Sequence, residues 1–105
     1  QGPQQVSAMS TATAFKVDII TPEETYFSGE AVSLAAPGIM GYLGVLVDHA
    51  PLVTPLGKGR IELRLADRTK KVFAVEGGFL EVAQNHVTLL VEKITPLEAS
   101  AAAIV

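Results

Sequence analysis

A chain of 105 residues, 49% hydrophobic and 18% charged, makes one small domain that buries roughly 65% of its unfolded surface, with no room for a second. A net charge of −3 without any basic stripe excludes nucleic acid as a partner, and the absence of cysteine excludes disulfides and thiolate metal sites. No run approaches the ~18 apolar residues of a spanning helix, so no direct membrane insertion by a helix is expected.

Residues 1–13 are small, polar and aperiodic, which predicts a disordered leader. Its opening Gln-Gly-Pro has the form of an engineered protease remnant, with Met9 as a natural start. The domain proper is expected over residues 14–95. Phe15, Val17 and Ile19 alternate with Lys16 and Asp18, the pattern of a half-buried strand. Thr21 to Glu24 ends it, and Ser28-Gly29 predicts a second reversal. Glu30 to Ala36 alternates again, with Val32 and Leu34 inward.

Pro37 to Pro55 (PGIMGYLGVLVDHAPLVTP) is the centre of the chain. Gly38, Gly41, Gly44 and the prolines predict tight reversals between short strands. Its only ionisable acid or base is Asp48 with His49 beside it, unusual for a segment that runs over a surface. Such a segment either folds back into the core or presents apolar surface to a partner. Gly57 to Gly59 predicts a turn, Arg60 to Ala66 a strand with Ile61, Leu63 and Leu65 inward, and Asp67 to Thr69 a hairpin connection. Lys71 to Glu76 is apolar on both faces, Gly77-Gly78 breaks it, Phe79 to Val82 resumes it, Gln84-Asn85 turns, and Val87 to Val91 is the last β-branched run. Strands separated by turns over some eighty residues indicate an all-β sandwich or barrel. Only residues 96–105 read as the start of a helix, with Pro96 in its first turn.

Chemistry is sparse. His49 and His86 lie in different elements without metal-ligand spacing, and Asp48, adjacent to His49 on an extended chain, points away from it. A histidine that tethers its own loop or meets a partner is the better reading. The central glycines precede no helix, so turn geometry explains them better than a phosphate cradle. No catalytic, metal or nucleotide site is expected and no cofactor. Met40 and Tyr42, at the tip of a glycine loop, fit a contact patch.

The runs ITPEETYFSGEAVSL, APGIMGYLGVLVDHAPLVTPL, VFAVEGGFLEV and NHVTLLVEK, in this order and spacing, resemble the epsilon subunits of F-type ATP synthases, called delta in mitochondria. The resemblance covers about Phe15 to Glu98. It implies a ten-stranded β-sandwich of two five-stranded sheets, followed in the family by a helical hairpin. It further implies a non-catalytic central-stalk (rotor) subunit of a proton-translocating ATP synthase, one copy per complex, peripheral to the membrane, coupling the c-ring to the gamma subunit. Met40, Gly41 and Tyr42 would face the polar loops of the c-ring; Asp48 and His49 would lie at the junction of gamma and ring. Met40 and Tyr42 stand where many bacterial members carry acids, which implies an apolar contact, and Val47-Asp48 replaces the usual Pro-Gly before the histidine. The hairpin is not present by Val105, so its inhibitory arm and ATP site do not carry over. The alternative is a small sandwich module binding a ligand such as a carbohydrate, which would need several exposed aromatics.

Overall fold

The computed structural model describes residues 11–97. Six strands follow one another: β1 (Phe15–Ile20), β2 (Thr25–Gly38), β3 (Gly41–Leu46), β4 (Leu52–Leu65), β5 (Lys70–Ala83) and β6 (His86–Leu97). They form one sheet in the order β1-β6-β5-β4-β2-β3, which closes on itself because β1 also pairs with β2. All neighbours are antiparallel except β1 and β6, which run parallel from Lys16↔His86 to Ile20↔Leu90. Along one edge of β2, β1 occupies the first half and β3 the second, while β4 holds the opposite edge.

The all-β expectation is met and the described residues contain no helix, but the expectation of ten strands in two five-stranded sheets is replaced by six strands in one sheet. The expected breaks at Ser28-Gly29, Gly57–Gly59 and Gly77-Gly78 lie inside continuous strands. Instead of ending the strands, most of these points turn them over. In β4 the inward side chains are Leu56, then Ile61 and Leu63; in β5 they are Val75, then Leu80 and Val82. Even and odd positions exchange roles, although the β4–β5 and β5–β6 registers run on without a shift. Gly77 (φ 72) and Gly78 (φ 129) supply the turnover in β5, with backbone angles that side chains disfavour. In β2 a bulge does the same work: Val32 is skipped between Ala31↔Leu65 and Ser33↔Arg64, so Ala31, Leu34 and Ala36 are buried while Val32 is only half-buried. Two five-stranded layers would require cutting β2, β4, β5 and β6 at these places, and β5 and β6 pair straight through them.

One core fills the closed sheet, built from Phe15, Val17, Ile19, Leu34, Ile61, Leu63, Leu80, Val82, Val87 and Leu89 among others. Leu65, expected inside, is half-buried and packs on its border. Phe73 closes one side under Tyr26, in an edge-on contact at 5.7 Å, and Phe27 at 6.1 Å. Val72, next to it, is buried outside this cluster, so β5 is covered on both faces there, as its unbroken apolar run predicts.

Turn chemistry follows the sequence. Asp67 Oδ1 accepts the Thr69 amide (2.8 Å) in the β4–β5 connection, and the Thr69 side chain first, with this amide second, holds its carboxyl below the usual carboxylate range. Gln84 (φ 49) and Asn85 (φ 59) form the two-residue hairpin between β5 and β6, both left-handed as a type I′ turn requires. Pro96 and Leu97, expected in a helical first turn, instead extend β6 opposite Phe73 and Val72; residues 98–105 lie outside the described residues.

Candidate interaction surface

The β2–β3 hairpin places Ile39 and Met40 at its tip, with Gly38 facing Gly41 across the turn. Gly41 adopts φ 130 in open space, where a side chain would meet no neighbour but the backbone would still be strained. Met40 is 94% exposed and Ile39 is exposed beside it. The Ile39 amide donates to the Pro55 carbonyl (3.0 Å), fastening the tip to the start of β4.

Tyr42, 63% exposed, is not a free member of this tip. Its hydroxyl accepts the backbone N–H of Arg60 (2.8 Å), reaching across β2 to β4. The space comes from Gly59, where a Cβ would strike the Tyr42 hydroxyl and approach Pro37 Cβ to 2.8 Å.

Asp48 and His49 sit beyond the other end of β3, whose six residues place them on the order of 20 Å from Met40. The two groups of expected contact residues are therefore not brought together. Asp48 (φ 64) and Asn85 clasp each other: the Asp48 amide donates to Asn85 Oδ1 (2.6 Å), and Asn85 Nδ2 donates to Asp48 Oδ1 (2.8 Å). The Asn85 carbonyl accepts the Lys16 amide (2.9 Å), so β1, the β3–β4 loop and the β5–β6 turn meet there. His49, half-buried, donates from Nδ1 to the Ala50 carbonyl (2.6 Å) and from its amide to the Leu46 carbonyl (3.2 Å). It tethers its own loop, and Asp48 is engaged with Asn85.

One surface was not singled out in the sequence. On the outer side of β4, β5, β6 and β1 the register aligns Pro55, Phe79, Leu90 and Ile20 in a row across four strands, with Val53 beside it. Phe79 is 53% exposed, and Val53 and Leu90 are exposed as well. A shallow depression lies here, lined by Ile20, Pro22, Phe79 and Leu90. Glu81 and Asp18 border it. The Ile39 to Pro55 bond ties the backbone of the tip to the strand that carries the edge of this face. Alternation counted on from the buried Phe73 and Val75 assigns Phe79 inward; the glycine turnover just before it puts it outside. Gly-Gly before an aromatic was the signal.

Bordering the face, Asp18 accepts from Ser28 Oγ (2.7 Å) and binds His86 Nε2 (2.7 Å). Those two hydrogen bonds hold its carboxyl below the usual carboxylate range. The carboxylate sits between serine and histidine, leaving the hydroxyl without a base, so this is a clip between strands and no hydrolytic triad. Among the described residues no group of three or more His, Asp and Glu could hold a metal, and no helix is long and apolar enough to cross a membrane.

Residues 14–97 match the family model described as ATP synthase, Delta/Epsilon chain, beta-sandwich domain. The chain belongs to the ATP synthase delta/epsilon family. It is 43% identical over 86 residues to the ATP synthase epsilon chain of Chlorobium limicola, covering 82% of this chain and 98% of that one. To the epsilon chain of Moorella thermoacetica it is 47% identical over 79 residues, 75% of this chain and 59% of that one. Among solved structures it resembles a chain of the Euglena gracilis mitochondrial ATP synthase, OSCP/F1/c-ring, with a TM-score of 0.76 over 99% of this chain and 69% of that one; at 18% identity this establishes the fold. Most of the large apolar residues that this closed β domain exposes lie at one hairpin tip and one outer face, with Leu46 and Leu97 exposed elsewhere.

Proposed function

We propose that this domain is a non-catalytic rotor element of an F-type ATP synthase, bound peripherally to the membrane sector, that couples the c-ring to the gamma subunit. The carrying observation is a pair of outward apolar groups, Ile39 and Met40 at the hairpin tip and Val53, Phe79 and Leu90 on the outer face, with the Ile39 amide bonded to Pro55 between them. Such groups fit a protein contact with apolar anchors and a polar rim. The Met40 tip meets the loops of the ring, where an uncharged side chain takes part through packing. The Phe79 face, bordered by the His49 loop, meets gamma. The mechanical part follows from the fold: a sheet closed on itself has few free edges and deforms little under load.

The carbohydrate-module alternative has no observation in its favour. Tyr42 and Phe79 are the exposed aromatics among the described residues; one is engaged with β4 and the other lies between Pro55 and Leu90, so they form no platform.

The test is reassembly of the full complex from preparations depleted of this subunit. Met40→Asp and Phe79→Asp are expected to leave unfolding unchanged and each weaken reassembly at least about tenfold, since ~1.4 kcal/mol is lost when a charge enters an apolar contact. Wild-type reassembly by both variants would remove this surface from the interface.

A further inference from the structure

Between Ala35↔Glu62 and Gly38↔Leu56, two residues of β2 face five of β4, so the ladder between these strands opens just above the hairpin tip. One of the two is Pro37, which has no N–H to give. The Arg60 amide lies in this gap, and the acceptor it finds is the Tyr42 hydroxyl, arriving from β3 on the far side of β2. Three features converge on that reach. Gly59 leaves a recess that any Cβ would fill, Pro37 opposite Tyr42 is buried, and the ring keeps most of its surface in solvent. Below the gap, the tip is otherwise tied to β4 by Gly38↔Leu56 and the Ile39 to Pro55 bond.

We propose that Tyr42 is a positioning residue that acts as a latch, its hydroxyl bridging the open β2–β4 ladder to fix the angle at which the Met40 tip is held. This rests on the reading of that tip as the ring-facing contact. A direct contact made by Tyr42 would use its ring, whereas a latch uses its oxygen, and substitutions separate the two. Tyr42→Phe keeps the ring and loses the bond; Tyr42→Leu loses both. Gly59→Ala leaves Tyr42 in place and fills its recess.

The experiment is reassembly of depleted ATP synthase with each full-length variant, alongside amide hydrogen exchange of the free subunit. A latch predicts that Phe and Leu at position 42, and Ala at position 59, all weaken reassembly about fivefold, the equivalent of ~1 kcal/mol. Exchange at Arg60 and Ile39 should accelerate by a similar factor in all three, with the remaining strands unchanged. Full affinity for Tyr42→Phe with loss only in Tyr42→Leu would overturn the latch in favour of a ring contact. Faster exchange at Arg60 with unchanged reassembly would also overturn it, because the bond would then be structural alone. Met40→Asp in the same assay separates the two ideas: if it reassembles normally, the reading of the tip fails, whatever Tyr42 does.

Discussion

Replacing Gly78 with alanine tests the turnover of β5 on which the placement of Phe79 depends. Two penalties combine. A non-glycine residue at φ 129 is strained by about 1–3 kcal/mol. In addition, the new Cβ would strike the Leu90 carbonyl oxygen and lie 2.9 Å from both the Leu90 carbonyl carbon and Val91 Cα. Those are backbone atoms of β6 and cannot rotate aside, so the Gly78↔Val91 and Phe79↔Leu90 pairs must separate. Losing two ladder bonds adds about 1–3 kcal/mol. The sum, about 4 kcal/mol, is a large share of the ~5–15 kcal/mol that holds a domain together, and lowers Tm by roughly 15–30 °C. Gly41→Ala is the control: its φ of 130 is nearly the same but nothing lies within 4 Å, so it bears the strain alone. Urea unfolding followed by circular dichroism gives both values. Equal losses in the two variants would refute the clash between β5 and β6.

Three further outcomes are expected. Asn85→Gly preserves the left-handed turn but deletes both side-chain bonds to Asp48, and should destabilise by about 1–2 kcal/mol in urea melts, with faster exchange at the Asp48 amide. Because Ser28 and His86 favour the ionised form of Asp18, its contribution to stability is present above the ordinary carboxylate pKa of about 3.9 and lost as pH falls through the lower native value. The stability gap between wild type and Asp18→Asn should therefore shrink on acidification below about pH 4; a gap that is constant or widens contradicts the clip. Phe79→Ala, on the outer face, should change stability by no more than about 1 kcal/mol, measured by thermal melts, whereas Leu80→Ala beside it, fully buried, should lose about 2–5 kcal/mol.

The sequence carried the alternating strands and the two hairpin turns that rest on local rules alone. Phe15, Val17 and Ile19 alternate without interruption, Asp67 to Thr69 has the side chains its connection uses, and Gln84-Asn85 tolerates the angles of its hairpin. What was hidden is where alternation changes phase. Counting in twos places Val32 inward, and a single skipped residue against β4 reverses that count. Gly77 and Gly78 read as a break because glycine ends strands more often than it turns them over; only the neighbouring β4 and β6, pairing straight through, distinguish the cases. The same blindness hid the Phe79 face, which exists only after that turnover. Met40 was legible as a tip residue. Tyr42 was legible as exposed, but its bond to Arg60 joins residues eighteen apart across an intervening strand, which no local pattern encodes.

On the proposed function the Met40 tip and the Phe79 face abut two different neighbours. Photo-crosslinking from positions 40 and 79 in the assembled complex tests it most directly. Adducts to a c-ring subunit from position 40 and to gamma from position 79 are the result predicted here. A position 40 that captures only solvent, or a position 79 that captures nothing of the shaft, would contradict it.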